Sequence, residues 1–353
     1  MKRKELFSIL FSVAVLSSCG GRISTDNVVP EISNPTAYLF SYFENDDAQP
    51  SEALRFAVSE DAVNWHALNG NRPILESSEI SNTGGIRDPH ILRGAKGGYY
   101  MVATDMYTRR DGWGFNPGIV MLYSEDLVNW SSSALDFTKI YPEDFGDVQY
   151  VWAPQTVYDP SVDKYLVYFT IRYKAGAGND RPRGMNFFCA YANADFTGFE
   201  EVPHLMWSPA NGAIDGDIIQ GEDGVLHFFN KGSVRGVDGQ PGRNGITQAT
   251  ASSLQGPWVE TGEFYDAYAN ERTGVEGSGI FKLNPKDSRS GSTEYVLMYD
   301  IYTAGRYEFQ RSNDLYEFTS EPESFTKDFF PRHGTVMPIS ARELKVLKEK
   351  WGE

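Results

Sequence analysis

The sequence predicts an all-β protein, a five-bladed β-propeller closed by pairing of its N- and C-terminal strands. Three observations predict it. A strand–turn–aromatic phrase recurs five times, an aromatic strand precedes each copy, and short apolar segments form a third series at the same spacing. Composition agrees: 34 glycines and 14% aromatic residues suit many tight turns and packed strands rather than long helices.

The chain opens with Lys2, Arg3 and Lys4 before the apolar run Leu6 to Leu16. That run is too short to span a bilayer and reads as the charged and apolar regions of a signal peptide. It ends in Leu16-Ser17-Ser18-Cys19-Gly20, which resembles a bacterial lipobox. Residues 1–18 are therefore expected as a lipoprotein signal peptide, with lipidation at Cys19 and attachment to the bacterial cell envelope through that lipid alone; an ordinary signal peptide with an incidental cysteine is the alternative. Residues 19–35, rich in Gly, Ser, Asn and Pro, read as a flexible tether. The other cysteine, Cys189, lies in an apolar run and reads as a buried thiol.

The propeller is expected over residues 36–340. Its recurring phrase is Phe56-Ala57-Val58-Ser59-Glu60-Asp61 running on to Trp65, with later copies ending at Trp130, Phe199, Trp258 and Phe318. Asp61 and Asp314 lie 253 residues apart over four intervals, about 63 residues each. The aromatic strands are 38–43, 99–104, 165–170, 226–231 and 295–302. The third series is Asp88-Pro89-His90-Ile91, Trp152-Ala153-Pro154, Ile214-Asp215-Gly216 and Val275-Glu276-Gly277, with His333-Gly334-Thr335-Val336 as its fifth member. Nothing equivalent precedes Tyr38, so the C-terminal segment is expected to supply the inner strand of the N-terminal blade and remove exposed edges. Residues 341–353 read as a short amphipathic helical tail.

A formal charge of −16 argues against nucleic acid or an anionic membrane as partner. Two cysteines provide neither a disulfide framework nor a Cys-based zinc site. The chemistry lies instead in the third series, where three of five aligned positions are acidic: Asp88, Asp215 and Glu276. Residues at equal phase converge at one end of a propeller's channel, and carboxylates on apolar strands are costly without a purpose. Two carboxyls facing each other across a sugar are what glycoside hydrolysis requires, and a third would raise the pKa of the acid. Turn chemistry is the alternative reading of each acid taken singly.

Arg87-Asp88-Pro89-His90-Ile91, Trp152-Ala153-Pro154, Ile214-Asp215 with Gly221-Glu222-Asp223-Gly224, and Val275-Glu276-Gly277 together resemble the ordered signatures of glycoside hydrolase family 43, over residues 37 to 340. The resemblance implies a five-bladed propeller that hydrolyses arabinofuranosides or xylosides with inversion. It implies Asp88 as general base, Asp215 as pKa modulator and orienter, and Glu276 as general acid. Two positions depart from the pattern: Ser278 stands where Pro follows Glu-Gly, and Gln155 where Glu follows Trp-Ala-Pro. A non-catalytic glycan-binding lipoprotein is therefore the second reading. A glycoside phosphorylase is the third, and it would need a basic cluster that no Arg/His pair in the sequence supplies.

Further substrate contacts are expected from Asp105 and Asp300 at the ends of aromatic strands, Trp152 as a platform, Gln155, Arg306 and His333; turn, core or solvated roles are the alternatives for each. Asp217, two residues after Asp215, is the substitute should Asp215 be misplaced. The resemblance requires no cofactor and assigns no catalytic metal, but related propellers hold an axial structural Ca2+ that His333 would approach. The protein is expected to be a monomer.

Overall fold

The computed structural model describes residues 22–44, 50–234, 243–266, 274–323 and 325–352. Cys19 and the leader lie outside the described residues.

Five antiparallel sheets stand around one axis as the blades of a propeller. Blade I runs outward as Thr335–Ile339, Ala37–Tyr42, Arg55–Ser59 and Asn64–Ala67, with Thr326–Lys327 added in parallel at its edge. Blade II is Ile86–Arg93, Tyr99–Asp105, Gly118–Ser124 and Ser131–Asp136. Blade III is Val148–Asp159, Lys164–Tyr173, Asn186–Tyr191 and His204–Trp207, and blade IV is Ala213–Gln220, Leu226–Val234, Arg243–Ala251 and Val259–Phe264. Blade V has Glu276–Lys282, Tyr295–Ile301 and Arg306–Ser312. Each inner strand touches the next, and the last returns to the first. Closure is as expected: Thr335 pairs with Ser41 and Ile339 with Ala37.

The repeat has a physical cause at three of the outer turns. Asp61 Oδ1 accepts the backbone N–H of Val63 and Asn64 at 2.9 and 2.7 Å; Asp126 and Asp314 do the same for their own turns. The aromatic that follows plugs the blade, and Trp65 donates its indole N–H to the Ala62 carbonyl at 3.1 Å. Alternation along the strands feeds five apolar clusters, one between each pair of neighbouring blades. Cys189 is buried in one of them, and burial pushes its thiol up to about 12.

The tail is a helix, Ala341–Trp351, opened by a capping box between Ser340 and Glu343. Leu347 packs into the cluster between blades I and II, and the Glu343 carboxylate binds Arg93 of the blade II inner strand. No helix among the described residues is long and apolar enough to cross a membrane.

Residues 22–35 differ from the flexible tether expected there. Ile23 pairs with Ile32 and Ser24 with Glu31; Val28 is buried in the cluster between blades III and IV, and its carbonyl accepts the Tyr158 N–H at 2.8 Å. This hairpin lies over one end of the channel and borders a pocket of about 730 Å³, lined also by the blade I inner strand and the C-terminal parts of the inner strands of blades II, IV and V, among them Arg93, Gln220 and Lys282. The fold fixes it by giving an apolar side chain somewhere to dock, which composition does not register.

Candidate active site

The site lies at the opposite end, where the inner strands begin. In blades II to V the inner strand breaks register at the same point: between Arg87 and His90, Trp152 and Gln155, Ile214 and Asp217, and Glu276 and Gly279. Each break holds one residue in the left-handed region: Asp88 (φ 51°), Ala153 (44°), Asp215 (53°) and Gly277 (64°). Such a bulge bends the strand and re-aims a side chain towards the axis. Three non-glycine residues in this conformation store strain, which tends to accumulate at functional sites.

The bulges correct the expected equal phase of the three acids. Asp88 and Asp215 are structural equivalents, but Glu276 is one residue early, aligned with Arg87, Trp152 and Ile214. The sequence spacing could not show this, because a bulge lets two successive residues oppose one on the partner strand.

The carboxylates nevertheless meet. The His333 ring places Nδ1 3.4 Å from Asp88 Oδ1 and 3.9 Å from Asp215 Oδ1. Asp215 Oδ2 accepts the Gly277 N–H at 3.1 Å, and Ser278 Oγ donates to the Asp215 carbonyl at 2.5 Å. The bulges of blades IV and V are thus laced together beside Glu276. Asp88 Oδ2 accepts from Thr104 Oγ1 at 2.8 Å, and Thr104 Oγ1 in turn accepts the Ala153 N–H at 2.8 Å. Glu276 sits between two cations, Lys231 Nζ at 2.7 Å and Arg332 Nη2 at 3.0 Å. Arg332 Nε also binds Asp300.

Electrostatics separate the acids. Burial would raise Asp88, but its close pairing with His333, the Arg87 charge and the Thr104 hydroxyl outweigh it and hold the carboxyl below the usual range. Burial raises Asp215 to about 6, helped by Glu276 and Asp88. Burial also raises Asp300 to about 7, against the pull of Arg332. His333 is held at about 9: burial opposes its charge, but Asp88 and Asp215 prevail. Lys231 is likewise raised despite burial, by the Glu276 and Asp215 charges.

A family model described as a probable glycosyl hydrolase domain, of the family-43-related type, matches residues 34–345. The chain belongs to this family. An alpha-L-arabinofuranosidase from Bifidobacterium longum subsp. longum is 23% identical over 298 residues, covering 77% of this chain and 27% of that protein. The chain thus spans about a quarter of the length of that curated relative. An endo-arabinase from Bacteroides thetaiotaomicron superposes with a TM-score of 0.51 at 14% identity, over 86% of this chain and 90% of its own. An endo-1,4-beta-xylanase from the same organism gives 0.50 at 12% identity, over 88% and 99%. At these identities the two structures attest the fold.

Within this glycosyl hydrolase domain the expected residues divide. Asp88, Asp215, Glu276, Asp300 and His333 come together. Trp152 stands beside them, half-buried, stacked on Tyr150 with ring centroids 4.1 Å apart. Asp105 does not reach the cluster: its carboxylate accepts the Asn82 and Thr83 N–H groups at 2.8 and 2.9 Å and anchors that turn. Gln155 lies past the bulge, where the strand is regular again. It is buried and accepts from Tyr168, whose oxygen receives the Ile218 N–H, so it braces blades III and IV. Arg306 is exposed beside Glu308. Asp217 is no substitute for Asp215; it accepts the Ile280 N–H at 2.8 Å and faces His90 at 3.6 Å, deeper in the channel.

Lys231 and Arg332 were not anticipated. Lys231 was legible, since it ends an aromatic strand at the position of Thr104, Thr170 and Asp300. Arg332 had only its adjacency to His333. Together they amend the expectation that no Arg/His pair is placed to hold phosphate: Arg332 and His333 both enter the site, though each is committed to carboxylates. The axial calcium implied by the resemblance is less well matched. Among the described residues no group of three or more His, Cys, Asp and Glu is arranged to hold a metal, and His333 turns Nδ1 to two carboxylates.

Proposed function

We propose that this domain hydrolyses a glycosidic bond with inversion, acting on arabinofuranosides or xylosides of plant-type polysaccharide side chains or oligosaccharides. The observation that carries the reading is the meeting of Asp88, Asp215 and Glu276 around His333 at one channel mouth. Asp88, kept ionised by His333 and Thr104, takes a proton from water on one face of the sugar. Glu276 gives a proton to the leaving oxygen on the other. Asp215 holds the Gly277 amide and so aims the turn that carries Glu276. Ser278 replaces the family's proline without loosening that turn, because its hydroxyl ties it back to Asp215.

A panel of nitrophenyl glycosides tests this. Release from an arabinofuranoside or xyloside by the wild type, lost in Asp88→Asn, is expected; no release from any member contradicts it. One observation favours the second reading, a glycan-binding protein without turnover: each carboxylate oxygen of Glu276 is already paired with a cation, Oε2 with Lys231 and Oε1 with Arg332. Calorimetry showing oligosaccharide binding without product formation would establish that reading. Phosphorolysis would require phosphate to displace those carboxylates, and phosphate-dependent turnover is its signature.

We also propose that the mature protein is held at the cell envelope by lipid on Cys19. The lipobox-like sequence supports this. Labelled palmitate should enter the wild type and not Cys19→Ala.

A further inference from the structure

Exposed aromatic rings cluster beside the site. Trp113, on the loop between the second and third strands of blade II, leaves 56% of its surface exposed. It is not a loose surface ring. The Arg87 guanidinium lies 4.8 Å from its centroid, and Arg87 is itself fixed by a 2.7 Å ion pair to buried Glu52 and by the Phe43 ring beneath it at 4.5 Å. Edge-on to Trp113 stands Trp152, 6.2 Å away at 84°, and Tyr150 stacks on Trp152 in turn. These three rings continue outward from the bulges that carry Asp88 and Ala153. Across the mouth, Tyr302 is 41% exposed, with Lys231 Nζ 5.0 Å from its centroid. Lys231 leads directly to Glu276.

Large apolar rings left in water are costly unless they meet a partner, and rings held rigid bind at low entropic cost. The polar cluster is built to grip the sugar being cleaved. The rings flank it on two sides and offer flat faces to neighbouring sugars, whose C–H faces are apolar and whose hydroxyls point sideways.

We propose that this mouth binds a neutral saccharide chain longer than a disaccharide, with sugar rings beyond the cleaved bond resting on the Trp113–Trp152–Tyr150 wall and on Tyr302. The inference rests on the glycosidase reading and deepens it from a sugar type to a chain. Charge supports the choice of a neutral ligand, since Lys231, Arg332 and Arg87 each already hold a carboxylate.

The test is calorimetry on full-length Asp88→Asn protein with linear arabino- and xylo-oligosaccharides of two to six residues. Affinity should rise about tenfold or more from the dimer to the tetramer in one series. Trp113→Ala in the same background should remove most of that gain, and Trp113→Phe should keep most of it. Unchanged thermal melting of both variants shows that folding is intact. Affinity independent of length, or a gain that survives Trp113→Ala, overturns the inference while wild-type turnover of nitrophenyl glycosides leaves the glycosidase reading standing. Absence of both turnover and binding overturns both.

Discussion

The two ends of the central channel are made from the same strands yet are built for different purposes. At the far end the inner strands are regular and their polar groups are spent on one another: Asp217 accepts the Ile280 N–H and faces His90, and a docked hairpin covers the opening. At the mouth, two residues earlier on the same strand, Asp215 sits in a left-handed bulge with its carboxyl raised to about 6. Burial is similar at the two positions. What differs is backbone conformation and the company of other charges, and these turn a structural carboxylate into one able to take part in chemistry.

Mutations at the mouth should therefore cost turnover, in some cases together with stability, and those at the far end stability alone. The largest effect is expected from Glu276→Ala, which should lower kcat on natural oligosaccharides by about 10²–10⁴-fold. Nitrophenyl glycosides, which need little leaving-group protonation, should suffer less. Steady-state kinetics on both substrate types checks the split.

Next comes His333, the cation between Asp88 and Asp215. His333→Gln should cost about 3–5 kcal/mol in denaturant unfolding, as breaking a buried ion pair does. It should also change the pH profile. His333 is held at about 9 in the folded protein, above its ordinary 6.5. Its stabilisation is complete below pH 6.5 and is lost as pH rises through 9. The wild type should weaken over that window, and the variant should weaken less.

Gly277→Ala sharpens the role of the bulge. At φ 64°, with an added Cβ 2.9 Å from the His333 Cβ, it should destabilise by about 1–3 kcal/mol and reduce kcat by misdirecting Glu276. At the far end, Asp217→Ala should cost about 1–3 kcal/mol by orphaning the Ile280 N–H, with only a small change in turnover per folded molecule. Smallest of all, exposed Arg306→Ala should shift stability by less than about 0.5 kcal/mol.

The same contrast explains what was legible in the sequence. The blade repeat was readable because local chemistry writes it: in blades I, II and V an Asp closes the outer turn on its own backbone and a Trp or Phe follows four residues on, while Asn193 and Ser253 take the capping role in blades III and IV. The closure of blade I was readable from the missing inner strand before Tyr38. The three acids were readable because they recur at nearly the blade period. Their true register was not, since a bulge inserts one residue without altering the apolar pattern around it. Asp105 and Gln155 looked like site residues because they adjoin site motifs, but one step along a pleated strand turns a side chain to the other face. Residues 22–35 read as a tether because their order comes from docking on the finished channel, a tertiary effect absent from composition.

The central claim is that Asp88 and Glu276 act on opposite faces of one sugar. Following the anomeric protons by NMR in the first minutes of hydrolysis of a nitrophenyl arabinofuranoside or xyloside tests it most directly. The product should appear first with the anomeric configuration opposite to that of the substrate, and then mutarotate. A first product of retained configuration would contradict the account.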